Sequence, residues 1–446
     1  MDTIAALATP PGKGGVGIVR ISGPLSKSIA GEILKKPLTP RIASYLSFYD
    51  SSCNVLDIGI AIFFPGPNSF TGEDVLELHG HGGQFILDLL LQRVIELGAR
   101  LAKPGEFSER AFLNDKLDLV QAEAISDLIN ASSAQAARSA IRSLSGEFSN
   151  TITEFLEKLI QFRIYVESSI DFSEEEIDFL AEAKVLSTLK DLRSDVNNIL
   201  QVAKQGVLLN EGIKVVILGQ PNVGKSTLLN GLSGRDSAIV TAIAGTTRDI
   251  LRESIHIDGI PLHVSDTAGL RDTTGIVELE GIRRAWKEVE VADLILFMID
   301  GGVGLSAKDK SLIAQLPADI PQIFLINKID LLDAIDQRKL NDDFAGIAIS
   351  AKTGEGIAAL KQLIKTTIGY EHTGQGLFLA RRRHLDALQR CEQALIQGCA
   401  HMEGHIAGEL LAEELRIAQQ ALSEITGEFS NEDLLGHIFS SFCIGK

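Results

Sequence analysis

Apolar positions along this chain fall into three kinds of spacing, and each change of spacing marks a change of architecture. Over residues 1–117, short apolar runs alternate with glycine and proline: Gly17 to Ser22, Asp57 to Phe64 and Val75 to His79 read as strands, and Gln84 to Leu97 carries a helical period. A compact α+β domain is expected there. From Asp118 to about Gly206 the apolar residues lie three or four apart, as in Phe155, Leu159, Phe162, Val166 and Ile170, and turn residues are few. This predicts long helices with one buried stripe. At Ile213 the pattern switches to continuous apolar runs, Ile213 to Leu218, Leu294 to Ile299 and Ile323 to Ile326, separated by amphipathic stretches. Such runs are the buried strands of a parallel sheet with crossover helices. Leu377 to Ser441 is again helical throughout. The expected architecture is multidomain: an α+β N-terminal domain (1–117), an all-helical domain in two parts (118–212 and 372–446), and an α/β domain inserted between them (213–371). No internal repeat is present.

Length and composition agree with this division. At 446 residues the chain exceeds what one hydrophobic core can organise, and 45% hydrophobic with 23% charged residues is ordinary globular usage that argues against disorder. A formal charge of −17 repels a phosphate backbone, so contact with nucleic acid requires a local basic patch or a partner. Arg381, Arg382 and Arg383 form one basic run, read first as a solvated helix face. Cys53, Cys391, Cys399 and Cys443 lack the CxxC spacing of a zinc or redox site and read as free thiols in a reducing compartment. The N-terminus lacks a basic stretch leading into a long apolar one, and no apolar run is long enough to span a bilayer; a cytoplasmic protein without membrane attachment is expected. Cys443 stands fourth from the end, but Gly445 and Lys446 do not fit a prenylation box.

The candidate chemistry concentrates in the inserted domain. Gly219-Gln-Pro-Asn222-Val223-Gly224-Lys225-Ser226 follows the apolar strand ending at Leu218 and opens a helical run that continues through Thr227. In that context the glycines let backbone N–H groups turn inward around phosphates at a helix N-terminus. Lys225 would reach the β and γ phosphates, and the Ser226 hydroxyl would hold Mg²⁺. Asp266-Thr267-Ala268-Gly269 follows the strand Leu262 to Ser265 and would place Asp266 in the outer shell of the metal. Thr247, within Gly245-Thr246-Thr247-Arg248-Asp249, is the natural second Mg²⁺ ligand and γ-phosphate sensor. Asn327-Lys328-Ile329-Asp330 addresses the base: the Asp330 carboxylate can accept from N1–H and the exocyclic amine of guanine, a donor pair that adenine lacks. Ser350-Ala351-Lys352 would supply backbone amides to the guanine oxygen. Four motifs in this order imply a P-loop GTPase domain of the Ras-like kind with GTP as ligand.

Two positions depart from the simplest scheme. After Asp266-x-x-Gly269 stands Leu270, whose apolar side chain cannot orient water, so Arg271, Asp272 and Glu278 are the nearby candidates for that task. Asn222 could lend its carbonyl to a monovalent cation beside the phosphates, or could simply shape the turn. Gly12 to Gly17 is not a second phosphate loop, because Ile18 and Val19 stand where Lys and Ser/Thr are required.

Together with Pro65 to Asp74 (PGPNSFTGED), Pro104 to Phe112 (PGEFSERAF) and the terminal Phe442-Cys443-Ile444-Gly445-Lys446, these motifs resemble the MnmE (also called TrmE) family of tRNA wobble-uridine modification GTPases over the whole chain. The resemblance implies a K⁺-stimulated GTPase that forms a homodimer. It assigns K⁺ to Asn222 with Thr241, Ile243 and Thr246, nucleotide contacts to the loop containing Ala242 and Ala244, and the catalytic role to Glu278. It further implies that the N-terminal domain dimerises and binds 5-formyltetrahydrofolate or a related one-carbon folate through Arg20, Glu77, Lys116 and Lys446. A FAD-dependent partner of the MnmG type would complete a heterotetramer that meets tRNA and adds carboxymethylaminomethyl or aminomethyl to the wobble uridine. The central domain alone resembles the Era and Der ribosome-assembly GTPases equally well, and a stand-alone folate enzyme with a regulatory GTPase is a third reading.

Overall fold

The computed structural model describes residues 2–171, 182–233, 252–266, 286–332, 346–370, 378–403, 408–428, 432–440, 442, 443 and 445. Two compact units are present: residues 1–130, 141–197 and 386–446 form the first, and residues 131–140 with 198–385 form the second.

The first unit contains a six-stranded sheet in the order β3-β4-β5-β2-β1-β6: β1 (Ile4–Leu7), β2 (Gly14–Ser22), β3 (Ser44–Tyr49), β4 (Val55–Phe64), β5 (Val75–Gly82) and β6 (Arg100–Leu101). All pairs are antiparallel except β1 with β6. Side chains alternate across the sheet, so Val19, Ile21, Leu76, Leu78 and Phe48 point into a core closed by α1 (Ser26–Leu34) and α2 (Gln84–Glu96). The opposite face is covered at β1 by Phe107 of α3 (Glu106–Leu113) and by Phe70, which pack on Ile4 and Ala6. The predicted strands and the 84–97 helix are present with ends shifted by a few residues.

The helical part follows from its 3–4 spacing. Phe148, Ile152, Phe155, Leu159, Phe162 and Val166 are the buried stripe of α6 (Glu147–Asp171), which packs on α12 (Gly408–Thr426) through Leu411, Leu415, Ala418 and Leu422. The remaining helices of this region are α4 (Leu119–Asn130), α5 (Ala134–Leu144), α7 (Glu182–Glu211), α11 (Arg382–Glu403) and α13 (Glu432–Ser440). A separate apolar cluster of Phe112, Leu119, Phe439 and Phe442 ties α3, α4 and α13 together.

The second unit carries a sheet ordered β12-β11-β10-β7-β9-β8: β7 (Ile213–Gly219), β8 (Arg252–Ile257), β9 (Ile260–Asp266), β10 (Leu294–Asp300), β11 (Gln322–Asn327) and β12 (Ile347–Ala348). It is parallel except for the β8–β9 hairpin. Its helices include α8 (Lys225–Ser233), α9 (Ala307–Ile313) and α10 (Ile357–Thr367). Val215 to Leu218 and Leu294 to Ile299 are buried along their whole length, because helices and loops cover both faces of a parallel sheet. From β7 the chain moves outward to β8 and β9, and from β10 it moves the other way, so the crevice where ligands bind in such sheets lies beyond β7 and β10.

Candidate guanine-nucleotide site

The loop at the end of β7 is shaped by backbone conformations that only its own residues allow. Gly219 has φ 145° and Gly224 has φ 106°; a Cβ at the first would lie 2.4 Å from the Met298 carbonyl oxygen, and at the second 2.4 Å from Asn327 Nδ2. Asn222 is left-handed too, with φ 62°, a conformation asparagine tolerates better than most side chains. The loop therefore curls tightly into α8, whose first helical bond runs from the Leu228 amide to the Gly224 carbonyl. The amides of the first helical turn face the mouth of the loop, as an anion site requires. Lys225 Nζ donates across that mouth to the carbonyls of Gly219 at 2.9 Å and Gln220 at 3.2 Å. Ser226 and Thr227 are exposed beside it. Gln220 is steadied by α9, donating to Asp309 Oδ1 at 3.2 Å.

Asn327 joins this loop to the segment at residues 350–352. Its side chain is buried, donates from Nδ2 to the Val223 carbonyl at 2.7 Å and accepts the Ala351 amide on Oδ1 at 2.9 Å. Ala351 N–H, assigned to guanine in the sequence reading, thus serves Asn327 in this structure. Lys328 is left-handed and pairs with Asp300 at 2.6 Å. Fully buried Ser350 donates its hydroxyl to Asp330 Oδ1 at 2.7 Å and accepts the Thr353 amide at 3.1 Å. That bond orients the exposed Asp330 carboxylate. The clamp made by Asn327 was not visible in the sequence, which shows which loops exist but not that one amide side chain bridges two of them.

Thr241, Ala242, Ile243, Ala244, Gly245, Thr246, Thr247, Thr267, Ala268, Gly269, Glu278 and Lys446 lie outside the described residues, as does the side chain of Asp266. Among the described residues, no group of three or more His, Cys, Asp and Glu side chains could hold a metal ion, and no helix is long and apolar enough to cross a membrane.

The first unit holds a second polar cluster. Arg20 and Glu77 are cross-strand partners on β2 and β5, with Arg20 Nε 2.9 Å from Glu77 Oε1. Arg20 also lies over the rings of Phe70 and Phe107, at 5.5 and 5.9 Å from their centroids, and donates to the Gly445 carbonyl at 3.4 Å. His79 Nε2 is 3.0 Å from Glu77 Oε2. His79 was absent from the sequence reading, although its place two residues after Glu77 on a strand puts it on the same face. Lys116 lies three residues beyond the end of α3. Its stem runs past Gly72, where a Cβ would lie 3.3 Å from Lys116 Cε, and it lines an open cavity of about 520 Å³ with Phe112, Asp115, Gln121, Thr153 and Glu428.

Behind Phe70 the two long N-terminal motifs meet. Buried Arg110, from PGEFSERAF, pairs with Glu73, from PGPNSFTGED, at 3.1 Å and with Glu106 at 3.1 Å; Glu73 also accepts from Ser22 at 2.6 Å. Arg100 hydrogen-bonds the Asp2 side chain, and together with Arg110 it pulls the Asp2 carboxyl down to about 2. Burial pushes Glu106 upward, but Arg100, the Lys103 amide and Arg110 outweigh it and hold Glu106 below its usual range.

The comparisons cover the chain from near its start to near its end. The family described as "GTP-binding protein TrmE N-terminus" matches residues 3–116, and the one described as "MnmE helical domain" matches residues 119–443. A protein of Hydrogenovibrio crunogenus named tRNA modification GTPase MnmE is 58% identical over 445 residues, spanning 100% of this chain and 99% of its own. The protein of the same name from Histophilus somni is 58% identical over 449 residues, spanning 100% of this chain and 99% of its own. Among solved structures, Era of Aquifex aeolicus bound to GDP and aluminium fluoride is 32% identical, covering 41% of this chain and 67% of that one with a TM-score of 0.30.

Proposed function

Because this chain belongs to the MnmE family of tRNA modification GTPases, we propose that it hydrolyses GTP in its second unit in support of adding carboxymethylaminomethyl or aminomethyl to C5 of a wobble uridine in tRNA. The observation that carries this reading is the joining of the 219–226 cradle to the 350–352 segment through one buried asparagine, with the Ser350 hydroxyl donating to the Asp330 carboxylate. A ribosome-assembly switch would leave the matched N-terminal and helical regions without a role.

The chemistry follows residue by residue. Lys225 exchanges two neutral carbonyls for the more strongly accepting β and γ phosphate oxygens. Asp330 accepts from N1–H and the amine of guanine, and the Lys328 stem and its pairing with Asp300 keep that strand end in place. The donor set fits hard cations: the hydroxyls of Ser226 and Thr247 suit Mg²⁺, and the exposed carbonyl of Asn222, with Thr241, Ile243 and Thr246, suits K⁺. Bound there, the cations would neutralise charge developing on the phosphates. Glu278 is the residue we assign to catalysis, Asp266 in the Asp266-Thr267-Ala268-Gly269 motif to the outer shell of Mg²⁺ with the Gly269 amide near the γ-phosphate, and Thr247 to sensing that phosphate.

In the first unit, Arg20, Glu77, Lys116 and Lys446 are assigned to a one-carbon tetrahydrofolate. A carboxylate suits the pterin amine and ring N–H, and cations suit the glutamate carboxylates. A homodimer is supported by an uncovered apolar stripe on the same sheet face, where Tyr45 is 75% exposed and pairs with Ile60 beside Ile58. The FAD-dependent partner would carry the redox chemistry and much of the tRNA contact, in keeping with the charge of −17. Mass spectrometry of tRNA from cells lacking this chain tests the proposal. Loss of the wobble modification, restored by the wild-type chain but not by Lys225→Ala, is expected; fully modified tRNA in the deletion strain would refute it.

A further inference from the structure

Arg20, Glu77 and His79 form a line across three residues of the open sheet face. Leu76 and Leu78 alternate into the core, so Glu77 and His79 emerge together on the other side of β5. Arg20 Nε is 2.9 Å from Glu77 Oε1 and His79 Nε2 is 3.0 Å from Glu77 Oε2, so each carboxylate oxygen has its own nitrogen partner. A carboxylate only accepts hydrogen bonds, and the contact therefore requires the hydrogen on Nε2 of His79. The three side chains are 14–22% exposed, which sets them apart from a solvated surface pair. The His79 backbone is fixed on both sides by its register partners Ile18 and Ile60.

We propose that His79 is a positioning residue that holds the Glu77 carboxylate in the orientation needed to select a heterocycle with two adjacent N–H donors, such as the aminopyrimidinone edge of a pterin. The inference rests on the folate reading above and extends it. Each carboxylate oxygen offers two lone-pair directions, and with one taken by Arg20 or His79 a second remains on each for a ligand. Without His79, rotation about the last torsion of Glu77 allows both oxygens to turn to the Arg20 guanidinium in a bidentate fork. The ligand-facing edge is then lost while every residue assigned to folate is still present. Arg20 cannot follow, because Phe70, Phe107 and the Gly445 carbonyl fix it from the other side.

The test is calorimetric titration of the full-length protein with 5-formyltetrahydrofolate, with pterin, and with lumazine, which carries a carbonyl where pterin carries its amine. Wild type should bind the folate and prefer pterin to lumazine. His79→Leu should weaken folate binding about ten-fold or more and shrink the preference for pterin, the scale expected for losing one hydrogen bond to a charged group. His79→Gln, whose amide can donate from a similar position, should restore binding to within about three-fold. His81→Leu, on the same face but with its ring 73% exposed, controls for general damage to the strand. A merely structural role for His79 would lower the melting temperature and weaken pterin and lumazine alike. If wild type binds the folate and His79→Leu binds equally well with the same preference, the positioning role is wrong. If wild type binds no folate, the reading of the pocket itself fails.

Discussion

At the scale of single residues, the nucleotide site depends on groups whose partners are now identified. Asp330 is exposed yet oriented by buried Ser350, so Asp330→Asn should preserve the fold while placing a donor against the two guanine donors. GTP affinity measured by fluorescence titration should fall about a hundred-fold, and xanthine nucleotides, which present a carbonyl in place of the amine, should gain. Undiminished GTP binding would remove Asp330 from base recognition. Asn222 poses the question left open by its sequence, and its left-handed φ of 62° accords with turn shaping. Hydrolysis assayed in K⁺ and in Na⁺ discriminates: the two rates should differ, and Asn222→Ala should erase the difference. The loops at 219–226 and 327–330 were legible at the ends of their strands because nucleotide chemistry demands particular residues at fixed spacing. Asn327 as a bridge, and the Ala351 amide bound to it, were not legible, because neither spacing nor residue type shows which distant carbonyl a side-chain amide will meet.

At the scale of elements, the two N-terminal motifs prove to be one structure. Helix α3 presents Arg110 to Glu73 from the loop before β5, and the sequence could not show that these segments, read separately as family signatures, are ion-pair partners. Arg110→Ala would leave half-buried Glu73 without its cation and buried Glu106 with Arg100 alone, and chemical denaturation should register a loss of about 1–3 kcal/mol. An unchanged midpoint would show that the network contributes nothing. Its pH dependence has a defined sign. Asp2 and Glu106 have depressed folded-state values, so their stabilisation is present above the ordinary carboxylate range and is lost as pH falls through the folded values, from 3.8 towards about 2 for Asp2. Asp2 is half exposed, so its share is small after solvent screening. Thermal melts at descending pH should lose stability across that window, and the loss should be smaller in the Arg110→Ala variant. The helices, by contrast, were legible from the 3–4 spacing of Phe155, Leu159, Phe162 and Val166, all buried in α6.

At the scale of the whole molecule, the four cysteines are free, and burial divides them into two classes. Cys391 and Cys399 are buried, and desolvation pushes the Cys391 thiol up to about 12, whereas Cys53 and Cys443 are exposed. Alkylation of the folded protein followed by peptide mass mapping should label Cys53 and Cys443 and spare the other two; rapid labelling of Cys391 would contradict the packing of α11. The same end of the chain has a further consequence. Gly445, with φ 96°, lies so close to β1 that a Cβ would be 2.2 Å from the Leu7 carbonyl, and its own carbonyl meets Arg20, a partner 425 residues away. During translation that wall cannot form until residue 445 leaves the ribosome, roughly 20–85 s after residue 20 is made at ordinary elongation rates. A nascent chain therefore carries the whole of its nucleotide domain while the cluster of Arg20, Glu77 and His79 still lacks the carbonyl that residue 445 supplies.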